Sequence, residues 1–268
     1  MWFGWSKRRR RERLRTAEFP SAWRNILHEN MPLYRWLSPE DRREIEGHIQ
    51  VFLAEKRFEG CAGLAITAVV RVTVAAQACL LLLHRDTDYY PGLRSIIIYP
   101  TGYTAEVANY SSHGVITERQ TQRLGESWGH GAVVLAWDSV LHGAADVSDG
   151  HNVALHEFAH QLDQEDGVAD GAPDLHAALF SPGRRGRCLA WARILSAEFE
   201  RLQQEVNEGK PTVLDAYGTK NPAEFFAVVT ECFFEKPQQL QQKHPKLYDE
   251  LRKFYRQDPV RWSADPGQ

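Results

Sequence analysis

At residues 156–160 the chain reads HEFAH, and no other stretch restricts its fold as much. Histidines four apart lie about 40° apart around a helix and about 6 Å apart along it, so a helix is what aims His156 and His160 at one ion. Two imidazoles at that spacing suit zinc, whose Zn–N bonds are about 2.0–2.1 Å. Glu157 lies about 100° further round, which places a carboxylate beside the metal rather than on it. There it can take a proton from a water whose pKa the metal has lowered to about 7. The bland alternative is a half-buried pair of histidines with Glu157 as a solvated neighbour. Leu155, Phe158 and Leu162 argue against it, because they give the helix a separate apolar face.

A catalytic zinc takes three protein ligands and keeps one position open, so a third ligand must come from elsewhere. Asp163 shares the histidines' face but would have to reach back a turn with a short side chain. Glu224 and Glu231 lie seven apart in NPAEFFAVVTECFFEKP and share one face of a second helix. Asn221 and Glu224 also read as a capping box, which gives Glu224 a purely local alternative. Spacing leaves all three candidates open. Cys61, Cys79, Cys188 and Cys232 form no CxxC pair, so a closed structural zinc site fits poorly. They read as reduced thiols, which points to the cytoplasm.

Elsewhere the pattern predicts helices in pieces over 18–60, broken by Pro20, Pro32 and Pro39, with Ser38 as a cap. LAITAVVRVTVAAQACLLLL, residues 64–83, is long enough to approach a membrane span, but Arg71 near its middle argues for a buried segment with Thr67 as a helix cap. RSIIIYP at 94–100 and AVVLAW at 132–137 read as short strands, the latter as a sheet edge above the histidines. Val153, Leu155, Phe158, Ala159 and Leu162 recur at helical spacing, with Gly167 as the stop. Residues 164–187 read as a long loop. Amphipathic helices follow from Trp191 towards Gly209, over 221–237 and at LYDELRKFY. Helices, a few strands, then helices predict an α+β fold with a small sheet.

The opening MWFGWSKRRRRERLR is the one strongly basic run in a chain of formal net charge −3. With no apolar h-region behind it, residues 1–17 read as a solvated, disordered tail. Trp2, Phe3 and Trp5 add weak contact with an anionic membrane surface as a minor reading. The body, 18–262, reads as one domain, with 263–268 as a short tail. Its charge balance gives no expectation of nucleic-acid binding.

HEFAHQLD and LDAYGTKNPAEFFAVVTECFF resemble the Mlc titration factor A family of gluzincin-type peptidases, whose catalytic fold is related to the anthrax lethal factor protease. LGESWGHGAVVLAWDSV and KLYDELRKFYRQDP extend the likeness over most of the chain. The resemblance implies a zincin-like domain with zinc on His156, His160 and Glu224, and Glu157 as general base. It also implies a role for Tyr217, seven residues before the glutamate ligand, at the oxyanion or as a proton donor. The implied activity is that of an aminopeptidase on peptide substrates. A regulator that binds a transcriptional repressor of the Mlc type is the other implication.

Overall fold

In the computed structural model, residues 2–110, 116–123, 125–128, 131–175 and 184–262 are described, with 2–5, 103–128 and 184–185 as backbone. The helices α1 (Trp2–Thr16), α2 (Ser21–Asn30), α3 (Pro32–Trp36) and α4 (Pro39–Glu55) open the chain. Ser38 caps α4 by accepting a hydrogen bond from the Asp41 N–H (3.1 Å), and Pro39 presets its first turn. Strand β1 (Arg57–Gly60) leads to α5 (Ala68–Leu80), capped by Thr67 on the Val70 N–H. Helix α5 is buried from Val72 to Leu80, because other helices cover it on several sides. That explains its membrane-like composition. No described helix is long and apolar enough to cross a membrane.

Strands β2 (Ser95–Tyr99), β3 (Tyr103–Tyr110), β4 (Ile116–Arg123), β5 (Gly125–Trp128) and β6 (Ala132–Ala136) follow. One sheet runs in the order β1-β2-β6-β5, and β3 pairs with β4 as a separate antiparallel hairpin. The β1–β2 and β2–β6 pairs are parallel, whereas β5 runs antiparallel to β6 with Gly125 opposite Leu135. AVVLAW is therefore an inner strand, not the expected edge, and β5 lies outside it. Ile96, Ile98, Val133 and Leu135 carry the sheet into the core.

The second half is helical: α6 (Trp137–Ala145), α7 (Val153–Asp163), α8 (Arg184–Asn207), α9 (Pro222–Glu235), α10 (Pro237–Lys243) and α11 (Pro245–Tyr255). Mostly helical with a small mixed sheet, the chain has the expected α+β composition. Residues 164–187 are not one loop. A 3-10 turn covers Gln164–Asp166, Gly167 closes it at φ 96°, and α8 already starts at Arg184.

The basic run is a correction. Instead of a disordered tail it forms α1, which packs on α4. Arg11 grips Glu55 with two hydrogen bonds of 2.8 Å and stacks 4.6 Å over Tyr89, while Lys7 pairs with Asp88 at 2.8 Å. A Cβ at Gly47 would meet the Arg15 carbonyl at 2.9 Å, so glycine lets the two helices close up. Charges distant in sequence turn a run that would otherwise repel itself into a docked helix. The side chains of Trp2, Phe3 and Trp5 lie outside the described residues, as do residues 263–268.

Candidate metal centre

Helix α7 begins where Asn152 accepts the Leu155 N–H on Oδ1 (3.0 Å) and donates through Nδ2 to the Gly143 carbonyl (2.9 Å) and to Glu235 (3.1 Å). Leu155, Phe158, Ala159 and Leu162 are buried, which leaves His156 and His160 on the flank turned to α9. Helix α9 starts on Asn221, whose Oδ1 accepts the Glu224 N–H at 2.9 Å. The cap is real, yet it uses only the backbone of Glu224 and leaves the carboxylate free to face α7.

That carboxylate gathers both histidines. Glu224 Oε2 lies 3.0 Å from His156 Nε2 and 3.3 Å from His160 Nε2, and the two rings are 4.9 Å apart. One donor atom from each of the three residues falls within 4.8 Å of the others, a convergence that can hold a metal ion. Glu231 sits on the opposite side of the His156 ring, with Oε2 2.9 Å from Nδ1. Its other oxygen accepts the Asn152 N–H at 2.7 Å. The two glutamates thus bracket one imidazole. A carboxylate on Nδ1–H fixes the tautomer that leaves the Nε2 lone pair for an ion.

Asp163, the remaining candidate ligand, is fully buried and accepts the Gly171 N–H at 2.9 Å. Gly171 has φ 78°, and a Cβ there would meet the Pro222 carbonyl at 2.4 Å, so this contact ties the end of α7 to the start of α9. Asp163 acts as a tether through Oδ2. Tyr217 lies in a 3-10 turn, Ala216–Thr219, held by Asp215 accepting the Tyr217 N–H. Its ring is 5.8 Å from that of His156, at 70°, and the residue is 44% exposed, so it borders the centre while remaining open to solvent. Lys220 Nζ lies 3.3 Å from its centroid. Glu157 is buried, one residue round the helix from the pair.

The electrostatics follow from the packing. Burial pushes the Glu224 carboxyl up, but hydrogen bonds from His156 and His160 outweigh it and hold it well below the usual range. Burial lowers His156, and its bonds to Glu224 and Glu231 raise it well above its ordinary value. Glu235 is pushed up to about 9 by burial, with repulsion from Glu231 adding to it against the Asn152 hydrogen bond. Burial likewise raises Asp163 to about 6. Glu235 therefore stays protonated at neutral pH.

The sequence reading overlooked Asn152, Glu235 and Lys220. Asn152 was findable, as an Asn one position before an apolar helical repeat is a cap signal. Glu235 and Lys220 carried none.

The chain matches the family described as "Glucose-regulated metallo-peptidase M90" over residues 5–256. It is 41% identical to an uncharacterized protein of Synechocystis sp. over 260 residues, 97% of this chain and 90% of that one. It is 29% identical to Mlc titration factor A of Yersinia pestis and of Yersinia pseudotuberculosis over 249 residues, 91% of this chain and 87% of theirs. A metallopeptidase family requires a divalent metal, and the His156, His160 and Glu224 side chains offer a donor set that fits one. On that match, the chain belongs to the glucose-regulated metallo-peptidase M90 family.

Proposed function

We propose that the protein is a zinc peptidase of zincin-like design, with zinc held by His156, His160 and Glu224. The observation that carries this reading is the meeting of both Nε2 atoms on one Glu224 oxygen. Zinc bound there supplies a Lewis acid and makes water acidic enough to attack at neutral pH. Glu157, beside the histidines on α7, removes the proton of the attacking water and hands it to the leaving amine. Tyr217 donates from the open side to the developing oxyanion. Glu231 keeps His156 in the ligating tautomer and Asn152 holds Glu231 in place.

The end preference we assign is that of an aminopeptidase, on the family resemblance of HEFAHQLD and the Tyr217–Glu224 spacing. Four free cysteines support a cytoplasmic setting. The test is digestion of a mixed peptide library by zinc-loaded protein beside folded, zinc-loaded Glu157→Gln. Cleavage by the first alone, releasing amino-terminal residues, is expected. Equal cleavage by both would contradict the assignment of Glu157, and internal cuts would contradict the end preference.

The likeness to proteins named Mlc titration factor A supports a second role, binding a transcriptional repressor. Binding that survives Glu157→Gln while hydrolysis is lost would separate the two. No cleavage by either protein, with zinc bound in both, would leave repressor binding as the function.

A further inference from the structure

Away from the histidines, a cavity of about 410 Å³ opens between α8, α11 and the segment after α5. Its anchor is Arg85, which is 7% exposed and stacks 4.1 Å over the Phe254 ring. Stacking leaves the edge of a guanidinium unsatisfied, since its five N–H groups point outward in the ring plane. Arg85 Nε and Nη1 are both buried without a hydrogen-bond partner among the described residues. A buried cation with unmet donors is costly unless something fills the place beside it.

The surroundings repeat the same sign. Arg187, Lys253 and Arg256 also line the cavity, with Glu250 the single acid among the described residues of its lining. Glu250 is already taken by Lys253 at 2.7 Å. Burial raises Glu165, whose charge acts on Arg85, to about 7, so it offers Arg85 only part of a counter-charge at neutral pH. Arg256 is held at φ 55°, a left-handed conformation unusual for a residue with a side chain, and donates to the His84 carbonyl at 3.1 Å. After Glu250 offsets Lys253, three arginines remain among the described residues that line the cavity. A single carboxylate would leave most of that charge unanswered, whereas a phosphate group carries nearly two negative charges and three acceptor oxygens. Trp191 and Phe254 supply apolar wall for the rest of a ligand, and the volume suits a small molecule.

We infer that this cavity binds a small organic phosphate, with Arg85 as the buried anchor and Arg187 and Arg256 closing on the phosphate oxygens. The site is separate from the histidines but not remote in connection. Trp191 donates its indole N–H to the Gly171 carbonyl at 3.2 Å, and Gly171 is the residue tied to Asp163 at the end of α7.

The test is calorimetric titration of the zinc-loaded protein with inorganic phosphate. One saturable site is expected, at least tenfold weaker in Arg85→Met and several-fold weaker in Arg187→Gln and Arg256→Gln. A His156→Ala/His160→Ala protein, which removes the alternative of phosphate on the metal, should bind phosphate as the unmodified protein does. Absence of saturable binding, affinity unchanged in the arginine variants, or loss in the histidine variant would each overturn the inference. Should Arg85→Met fail to fold, the Arg187→Gln and Arg256→Gln pair decides by the same criterion.

Discussion

Among the described residues, two clusters of three gather histidine and carboxylate within metal-binding distance, and they are built to different ends. Between α7 and α9, two histidines turn their Nε2 atoms onto one oxygen of Glu224. Between α4 and the turn after α5, Asp41, Glu44 and His84 come equally close together. There His84 alone spans two acids, with Nδ1 3.1 Å from Glu44 and Nε2 3.1 Å from Asp41. The two nitrogens of one ring point apart, so they cannot share an ion. Glu44 is further committed to the His84 N–H at 2.9 Å and to His48 at 3.2 Å. Convergent lone pairs, not residue count, separate a metal centre from an ion-pair clamp.

The largest test of that contrast is Glu157→Gln. It should leave zinc bound and lower kcat by about 10²–10⁴, the range for losing a general base. A fall in zinc content instead would make Glu157 part of the binding set. Tyr217→Phe comes next, with a loss of about 10²–10³ in kcat and little change in zinc affinity. At the second cluster, His84→Ala should leave zinc stoichiometry and peptide cleavage unchanged and cost about 1 kcal/mol or less in denaturant unfolding, as partly exposed ion pairs do. A lost equivalent of zinc would sink the clamp reading.

The smallest effect is a pH profile. Burial pushes the Glu44 carboxyl up, but the His48 hydrogen bond and the His84 N–H outweigh it and bring it down to about 2 from an ordinary 4.5. A depressed carboxyl contributes its stability in full above its unfolded value and loses it as pH falls through the folded one. The stability difference between the unmodified protein and Glu44→Gln should therefore hold at pH 6 and shrink between about 4.5 and 2. A difference that stays constant over that window would remove the charged clamp.

Much of the centre was legible because it is local. HEFAH specifies its own helix, and Asn221-Pro222 marks the start of the next. What spacing left open was the choice between Glu224 and Glu231, which sit on one face about 10 Å apart along α9. Which of them meets Nε2 depends on how far α9 is slid along α7, and that offset is set by remote contacts. Asp163, Gly171 and Pro222 fix one end of it, and Asn152 with Glu231 and Glu235 fixes the other. The same distance in sequence hid the fate of the basic run, since Glu55, Asp88 and the notch at Gly47 are what hold α1. AVVLAW was recognisable as a strand from its apolar run, but its inner place depends on β5, whose short GESW carries no alternation to announce it.

In the proposed centre the two glutamates around His156 hold different offices, Glu224 on the ion and Glu231 on the imidazole. Zinc affinity, measured by competition with a chelator for the unmodified protein, Glu224→Gln and Glu231→Gln, tests this division directly. A loss of about 10- to 100-fold is expected for Glu231→Gln, as for a partner that orients a ligand, and a clearly larger loss for Glu224→Gln. Equal losses, or the greater loss in Glu231→Gln, would contradict it.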